Sequence, residues 1–193
     1  MTRYKLTPRL HRASAGAEIT GFSQPALRDM KRRGYNVNDE TGGWSNASPH
    51  DLAKLLLVRA LRDSGLGLAE SWDQANEEVV GNIVFHALGL SGAMDTSAAS
   101  SELAKNPTIA LKWRMDFASS RVDGKHVGGG DFFVFGPTIP ANQYTSIEEA
   151  IKEANRRNDG PHLVMHVVAL REISKLLVER AGELASVVPV KSH

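Results

Sequence analysis

The chain has no cysteine among its 193 residues, and only 6% of them are aromatic. The lack of thiols excludes a disulfide scaffold, a thiolate zinc site, an iron–sulfur cluster and a cysteine nucleophile. Long apolar runs are also absent, because residues 55–58 and 163–170 are far shorter than the roughly 20 residues that span a bilayer. The basic residues 1–12 are not followed by the apolar core of a signal peptide. These absences predict a cytoplasmic protein without a membrane partner.

The net charge of +1 hides two oppositely charged parts of the chain. Residues 1–62 carry 11 Lys+Arg against 5 Asp+Glu, a net of +6, whereas residues 63–193 carry 12 against 17, a net of −5. A basic segment joined to an acidic remainder is typical of a protein that places one part on a polyanion and keeps the other away from it. Nucleic acid is therefore a candidate partner of the first third.

The first 80 residues predict a series of short helices. Ser23 and Ser48 are placed as N-caps, each followed within two residues by a proline in the first helical turn. Gly21 suits a tight turn between helices, and Gly34 and the pair Ser64-Gly65 suit helix ends. The predicted elements are helices over 14–19, 24–33, 49–63 and 68–80, with a polar hairpin or loop over 35–48.

The remainder predicts a small domain of mixed secondary structure. Apolar and polar residues alternate over 111–117, which favours a half-buried strand pairing with a second strand over 131–135. Residues 83–85 are compatible with either a strand or a buried helix, and the glycines and the Ser/Ala run within 81–106 indicate a linker or a loose helix. A helix over 147–157 with Ser146 as N-cap, a strand over 163–168 and a helix over 172–185 follow, which implies an α+β class.

One stretch of the first 70 residues is more specific. Thr20-Gly21-Phe22-Ser23, then Ala26-Leu27-Arg28, then Arg32-Arg33-Gly34-Tyr35 resembles the "TGVS…TLR…RRGL" core of the MerR family of transcription regulators. The likeness continues without gaps to Leu68, through Gly43-Trp44, Ser48, Asp51-Leu52, Leu55 and the run from Leu61. It covers about a quarter of the chain. Asp29 and Met30 stand where the family usually has aromatic residues, and the glycines at 81, 89 and 92 interrupt the region of its usual coiled coil.

The resemblance implies a homodimeric bacterial regulator that binds double-stranded DNA. It implies an N-terminal winged helix-turn-helix, mainly α, over residues 1–80, with 24–33 as the recognition helix and 35–47 as the wing. A linker or dimerisation region over 81–106 and an α+β dimerisation or effector domain over 107–193 complete the predicted organisation. Metal sensing through cysteines, common in the family, is impossible here.

The candidate DNA-binding residues come from the resemblance and from the usual geometry of a helix-turn-helix. The resemblance assigns a DNA contact to Arg28 and phosphate contacts to the wing tip. Recognition helices approach bases with their first residues, so Gln24 and, beyond its capping role, Ser23 are candidates for base contacts. Basic side chains supply phosphate contacts. The full predicted set is Arg12, Ser23, Gln24, Arg28, Lys31, Arg32, Arg33 and Trp44, the last as the hydrophobic anchor of the wing.

No pattern of residues predicts an enzyme, a cofactor or a metal site. His162 and His166 are four apart, but on a strand that spacing separates them by about 13 Å. His86 and His126 have no visible ligand partner, and the glycines at 128–130 lack the lysine and helix of a phosphate loop. We therefore expect a binding protein rather than a catalyst.

Two alternatives stay open at this point. One is an excisionase-like or phage-type accessory protein that bends DNA with the same N-terminal segment. The other is a ligand-sensing module or C-terminal enzyme with a DNA-targeting headpiece, in which residues 132–135 and 163–168 line a small-molecule pocket. A small-molecule or protein effector would then act at the C-terminal domain.

Overall fold

The computed structural model describes residues 3–36, 46–122, 127, 130–136, 139–157 and 165–190. This part of the chain is a mixed α/β fold with three small sheets. Its helices are α1 (Ala13–Thr20), α2 (Gln24–Arg32), α3 (Pro49–Asp63), α4 (Leu68–Gln74), α5 (Glu77–Ala87), α6 (Ser100–Lys105), α7 (Ile109–Ala118), α8 (Ile147–Arg157) and α9 (Leu170–Ala181). Short 3-10 turns cover Ser97–Ala99 and Ser119–Arg121.

The strands form three separate sheets. They are β1 (Arg3–Pro8), β2 (His11–Arg12), β3 (Asn46–Ala47), β4 (Met94–Asp95), β5 (Phe132–Gly136), β6 (Ile139–Tyr144), β7 (His166–Ala169) and β8 (Ala185–Val190). The first sheet has the order β1-β8-β4, with β8 antiparallel to β1 and parallel to β4. Strand β2 pairs with β3, and β5 lies between β6 and β7 with antiparallel pairing on both sides.

Several predicted helix boundaries are confirmed because local capping chemistry determines them. Ser23 is the N-cap of α2, and Ser48 and Asp51 form a reciprocal capping box at the start of α3. The Ser146 hydroxyl accepts from the Glu149 amide at 3.1 Å, at the start of α8. Gly21 and Gly34 adopt positive φ values of 72° and 87°, which residues with a Cβ rarely adopt.

The predicted strand over 111–117 is wrong, because this segment is the helix α7. Trp113 and Phe117 are four residues apart and both buried, which is the spacing of one helix face. Leu111 belongs to the apolar set of the alternating pattern, yet 47% of its surface is exposed. The strand predicted at 131–135 does exist as β5, but its partners are β6 and β7.

Other predictions need smaller corrections. The helix expected over 68–80 is two helices, because Asn76 caps α5 by accepting from the amides of Glu78 and Val79, both at 3.1 Å. Residues 83–85 lie on a buried helix rather than a strand. Residues 3–8, for which the sequence predicts no element, form β1, and the last predicted helix ends at Ala181 instead of 185, before β8. The strand predicted over 163–168 is β7, which the structure describes from His166 to Ala169, and residues 163–164 lie outside the described part of the chain.

The main hydrophobic core is one continuous cluster that runs from Ala17 to Ala185. Helix α3 packs against α1, α4, α5 and α9, so the N-terminal helices and the last helix share buried side chains. Residues 81–87, predicted as part of a linker, are the buried second half of α5. Within the described residues, we find no helix long and apolar enough to cross a membrane.

Candidate nucleic-acid interface

The two faces of α2 have opposite character. Leu27 and Met30 are 5% and 2% exposed and belong to the main core. Gln24, Arg28 and Arg32 are exposed, and their spacing of four places them on one stripe at 100° per residue. Lys31, half-buried, lies at the edge of this stripe. The helix is therefore anchored by its apolar face and presents a polar, cationic stripe to solvent.

Acidic Asp29 lies off that stripe and pairs with two arginines. One carboxylate oxygen is 2.6 Å from Arg32 Nη2, and the other is 2.8 Å from Arg33 Nε. Surface ion pairs of this kind contribute about 0–1 kcal/mol, so an arginine exchanges such a partner for phosphate at low cost. Arg28 has no hydrogen bond or ion pair with any described residue.

The turn between α1 and α2 is held by two arginines that no sequence pattern indicated. Arg59 of α3 donates from Nη1 to the Gly21 carbonyl oxygen at 2.7 Å, and its Nε contacts Asp63 at 2.8–2.9 Å. Arg180 of α9 donates from Nη1 to the Ile19 carbonyl oxygen at 2.9 Å. These carbonyls lie at the negative end of the α1 dipole, where cations stabilise a helix. The position of α2 thus depends partly on residues far from it in sequence.

Ser23 caps α2 and remains exposed. Its hydroxyl accepts from the Ala26 amide at 3.3 Å, a long hydrogen bond, while Pro25 occupies the first turn. The capping role expected for Ser23 is confirmed. Its exposure leaves the hydroxyl reachable from outside together with Gln24.

Arg12 lies at the other end of α1 from this turn. It pairs with Asn46 in the β2–β3 ladder and is exposed. Helix α1 has eight residues, so it separates Arg12 from the α1–α2 turn by about 12 Å at 1.5 Å per residue. The predicted wing residues 37–45, including Trp44, lie outside the described part of the chain. The structure therefore places six of the eight predicted residues on α2 and its two caps, and it places Arg12 apart from them, at the β2–β3 pair.

The start of α3, beside β3, contains a buried ionic cluster. Asp51, whose side chain is 0% exposed, accepts from the Ser48 amide at 2.7 Å and binds Arg121 Nη1 at 2.7 Å. Arg121 also donates to the Ser48 hydroxyl at 3.0 Å. His50 is buried next to it, with Nε2 at 3.2 Å from the Ala118 carbonyl oxygen, and burial lowers the pKa of His50. This cluster joins the N-terminal helices to the 3-10 turn that follows α7.

The chemistry of this face suits binding to an anion. Its functional groups are guanidinium, ammonium, amide and hydroxyl groups, and the only carboxylate among the α2 residues is already paired. Among the described residues, no group of three or more His, Asp and Glu side chains is arranged to hold a metal ion.

Comparison with known proteins gives no neighbour: no family model, no curated protein and no solved structure matches this chain.

Proposed function

We propose that the protein binds double-stranded DNA in a sequence-specific manner and acts as a transcription regulator similar to those of the MerR family. The observation that carries this proposal is the exposed stripe of Gln24, Arg28 and Arg32 on a helix whose opposite face is buried. The order of α1, a glycine turn, α2 and α3 supports it, as does the resemblance of the sequence over residues 20–68.

In this proposal, α2 enters the major groove with its N-terminal end. Gln24 suits adenine, because its amide nitrogen can donate to N7 while its amide oxygen accepts from the N6 amino group. Arg28 suits either the O6 and N7 acceptors of guanine or a backbone phosphate. Lys31, Arg32 and Arg33 act through phosphates, which position the protein without reading the sequence.

The flanking contacts come from the β2–β3 pair and the wing. Arg12, exposed beside Asn46, is assigned to a phosphate next to the recognition site. Trp44 is assigned to the anchoring of the wing. The resemblance further implies a homodimer, and two-fold symmetry would require an operator with two inverted half-sites about one helical turn apart.

The proposal is tested by selecting bound sequences from random DNA and measuring affinity for the selected site by fluorescence anisotropy. The variant Arg28→Gln with Lys31→Gln removes two cations from α2, whereas Lys105→Gln with Lys112→Gln removes two exposed cations from α6 and α7. We expect the first pair to weaken binding at least about tenfold and to reduce the slope of log K against log salt by about 2. The control pair should change neither the affinity nor the salt slope by a comparable amount.

Two results would overturn the proposal. One is a selection that yields no enriched sequence, and the other is an α2 variant that binds the selected site as tightly as the unmodified protein. Circular dichroism of both variants checks that the helices are intact.

A further inference from the structure

A cavity of about 440 Å³ opens on the side of the molecule where α5, α7, β5 and the start of α9 meet. Its size lies within the range of sites that bind small organic molecules. The charged and aromatic residues that matter for its chemistry are Phe85, His86, Arg114, Asp131, Arg171 and Lys175.

Arg114 is the most unusual of these residues. Its Nε and Nη2 atoms donate to the Phe85 carbonyl oxygen at 3.3 and 2.9 Å, and its guanidinium lies 4.4 Å from the centre of the Phe85 ring. Burial lowers the pKa of Arg114. No carboxylate of the described residues is within ion-pair distance of it. A half-buried guanidinium is thus held in place by a carbonyl and a ring, with its charge not compensated.

The Arg114 guanidinium packs directly against Gly89 on the facing segment. A Cβ atom at Gly89 would lie 2.5 Å from Arg114 Nη2, which is closer than such atoms can come. Gly89 therefore leaves the space that the guanidinium occupies at the cavity wall.

The other charges around the cavity do not balance this cation. Among the described residues that line the cavity, Arg114, Arg171 and Lys175 are cations, and one residue, Asp131, carries a carboxylate. Asp131 is already engaged, since its Oδ1 is 2.8 Å from Arg171 Nε and 3.5 Å from His86 Nε2. Lys175 pairs with Glu172 at 2.7 Å, but both side chains are more than half exposed, so this pair is weak.

We infer that this cavity binds a small organic oxyanion, a carboxylate or a phosphate ester, held by Arg114 and Lys175. The remaining N–H groups of Arg114 supply charge-assisted hydrogen bonds, and Phe85 supplies an apolar wall for the organic part of the ligand. The inference does not depend on DNA binding, because none of these residues belongs to the stripe on α2.

The test is an NMR titration of the full chain with sodium phosphate, with sodium citrate and with sodium chloride at matched ionic strength. We expect saturable shifts of the Gly89 and Arg171 backbone amides with phosphate or citrate, and none with chloride. Saturation by phosphate alone identifies a phosphate ligand, and saturation by citrate alone identifies a carboxylate ligand.

Variants tie the binding to the cavity. Arg114→Met should weaken it at least about tenfold and Lys175→Gln about threefold, because each removes a charge-assisted hydrogen bond. Lys112→Gln, an exposed cation on the same helix as Arg114, should leave it unchanged. Because the Lys175 side chain is 53% exposed, we expect the Lys175→Gln variant to fold. It therefore tests anion binding in the cavity even if Arg114→Met does not fold. The inference would be overturned if neither phosphate nor citrate gave saturable shifts. It would also be overturned if the Lys175→Gln variant bound the anion as tightly as the unmodified protein.

Discussion

The ion pair between Asp51 and Arg121 joins residues that are 70 positions apart in the chain. Its carboxylate is completely buried and also completes the capping box of α3, whereas the Arg121 side chain is 33% exposed. A buried ion pair does little for net stability compared with an apolar pair, but the loss of one partner leaves an uncompensated charge. Removal of one partner should therefore lower the free energy of unfolding much more than the intact ion pair raises it.

Arg121→Met removes the cation and leaves the Asp51 carboxylate buried. We expect the free energy of unfolding, measured by urea titration at pH 7, to fall by about 3 kcal/mol. Arg156→Met is the matched control, because Arg156 is 72% exposed and its ion pair with a described residue is with its helix neighbour Glu153. The control should unfold at the same urea concentration as the unmodified protein. Equal midpoints for the two variants would contradict the assigned role of Arg121.

His50 predicts a dependence of stability on pH. Burial lowers its pKa below the ordinary value of 6.5, an effect partly offset by the hydrogen bond to Ala118. The unfolded chain then binds a proton more readily than the folded one, so stability is complete above pH 6.5 and falls as the pH drops below it. One such group contributes at most about 1.4 kcal/mol per pH unit.

We expect the free energy of unfolding to decrease between pH 7 and pH 5.5, and to decrease less in His50→Gln. Urea titrations of both proteins at several pH values measure the difference. His11, whose pKa is also lowered by burial and by Arg9, is present in both and cancels. Parallel pH curves for the two proteins would show that His50 does not titrate with folding.

At the scale of elements, two glycines of the first helix and turn should respond oppositely to the same substitution. Gly16 lies inside α1, where a Cβ would meet its nearest neighbours at 3.7–3.8 Å, an ordinary contact. Gly21 has φ 72°, which costs a residue with a Cβ about 1–2 kcal/mol. We expect Gly16→Ala to stabilise the protein by about 0.5–1 kcal/mol and Gly21→Ala to destabilise it by about 1 kcal/mol. Urea unfolding measures both, and a change of the same sign in both variants would contradict this account.

The elements also show which structural features a sequence can reveal. Capping residues act within four positions of each other, so Ser23, Ser48 and Ser146 predicted the starts of α2, α3 and α8 correctly. The sequence wrongly predicts a strand in place of helix α7, because residues 113 and 117 satisfy both a period of two and a helical spacing of four. Only the packing of Trp113 and Phe117 on one side decides between the two patterns.

Long-range partners could not be predicted in the same way. Strand β8 forms its ladder with β1, which lies at the other end of the chain, and no local pattern identifies that pairing. The cation stripe on α2 was readable from the sequence, since it depends only on helical spacing. The sequence does not predict the contacts made near α2 by three other arginines, because the partners of these arginines are 38 to 161 residues away. They are Arg59, Arg121 and Arg180.

At the scale of the whole molecule, the segments predicted as separate regions share buried surface. The main core includes side chains of α1, α3, α5 and α9, and Arg180 links α9 directly to the end of α1. A second cluster, formed by Ala99, Trp113 and Val187, contacts Tyr4 and Leu6 of β1. The N-terminal strand thus connects to both clusters.

This connectivity predicts a single unfolding transition. Trp72 packs against the main core near α3, and Trp113 lies in the second cluster, so each reports on a different part of the chain. Two variants each keep one of these tryptophans: Trp44→Phe with Trp113→Phe keeps Trp72, and Trp44→Phe with Trp72→Phe keeps Trp113. In each variant we expect the unfolding transition measured by fluorescence to coincide with the one measured by far-ultraviolet circular dichroism. Neither part can lose its packing alone without exposing apolar surface on α3, α9 or β1, which makes partial unfolding costly. A fluorescence midpoint that precedes the dichroism midpoint in either protein would mean that the region around its tryptophan unfolds independently.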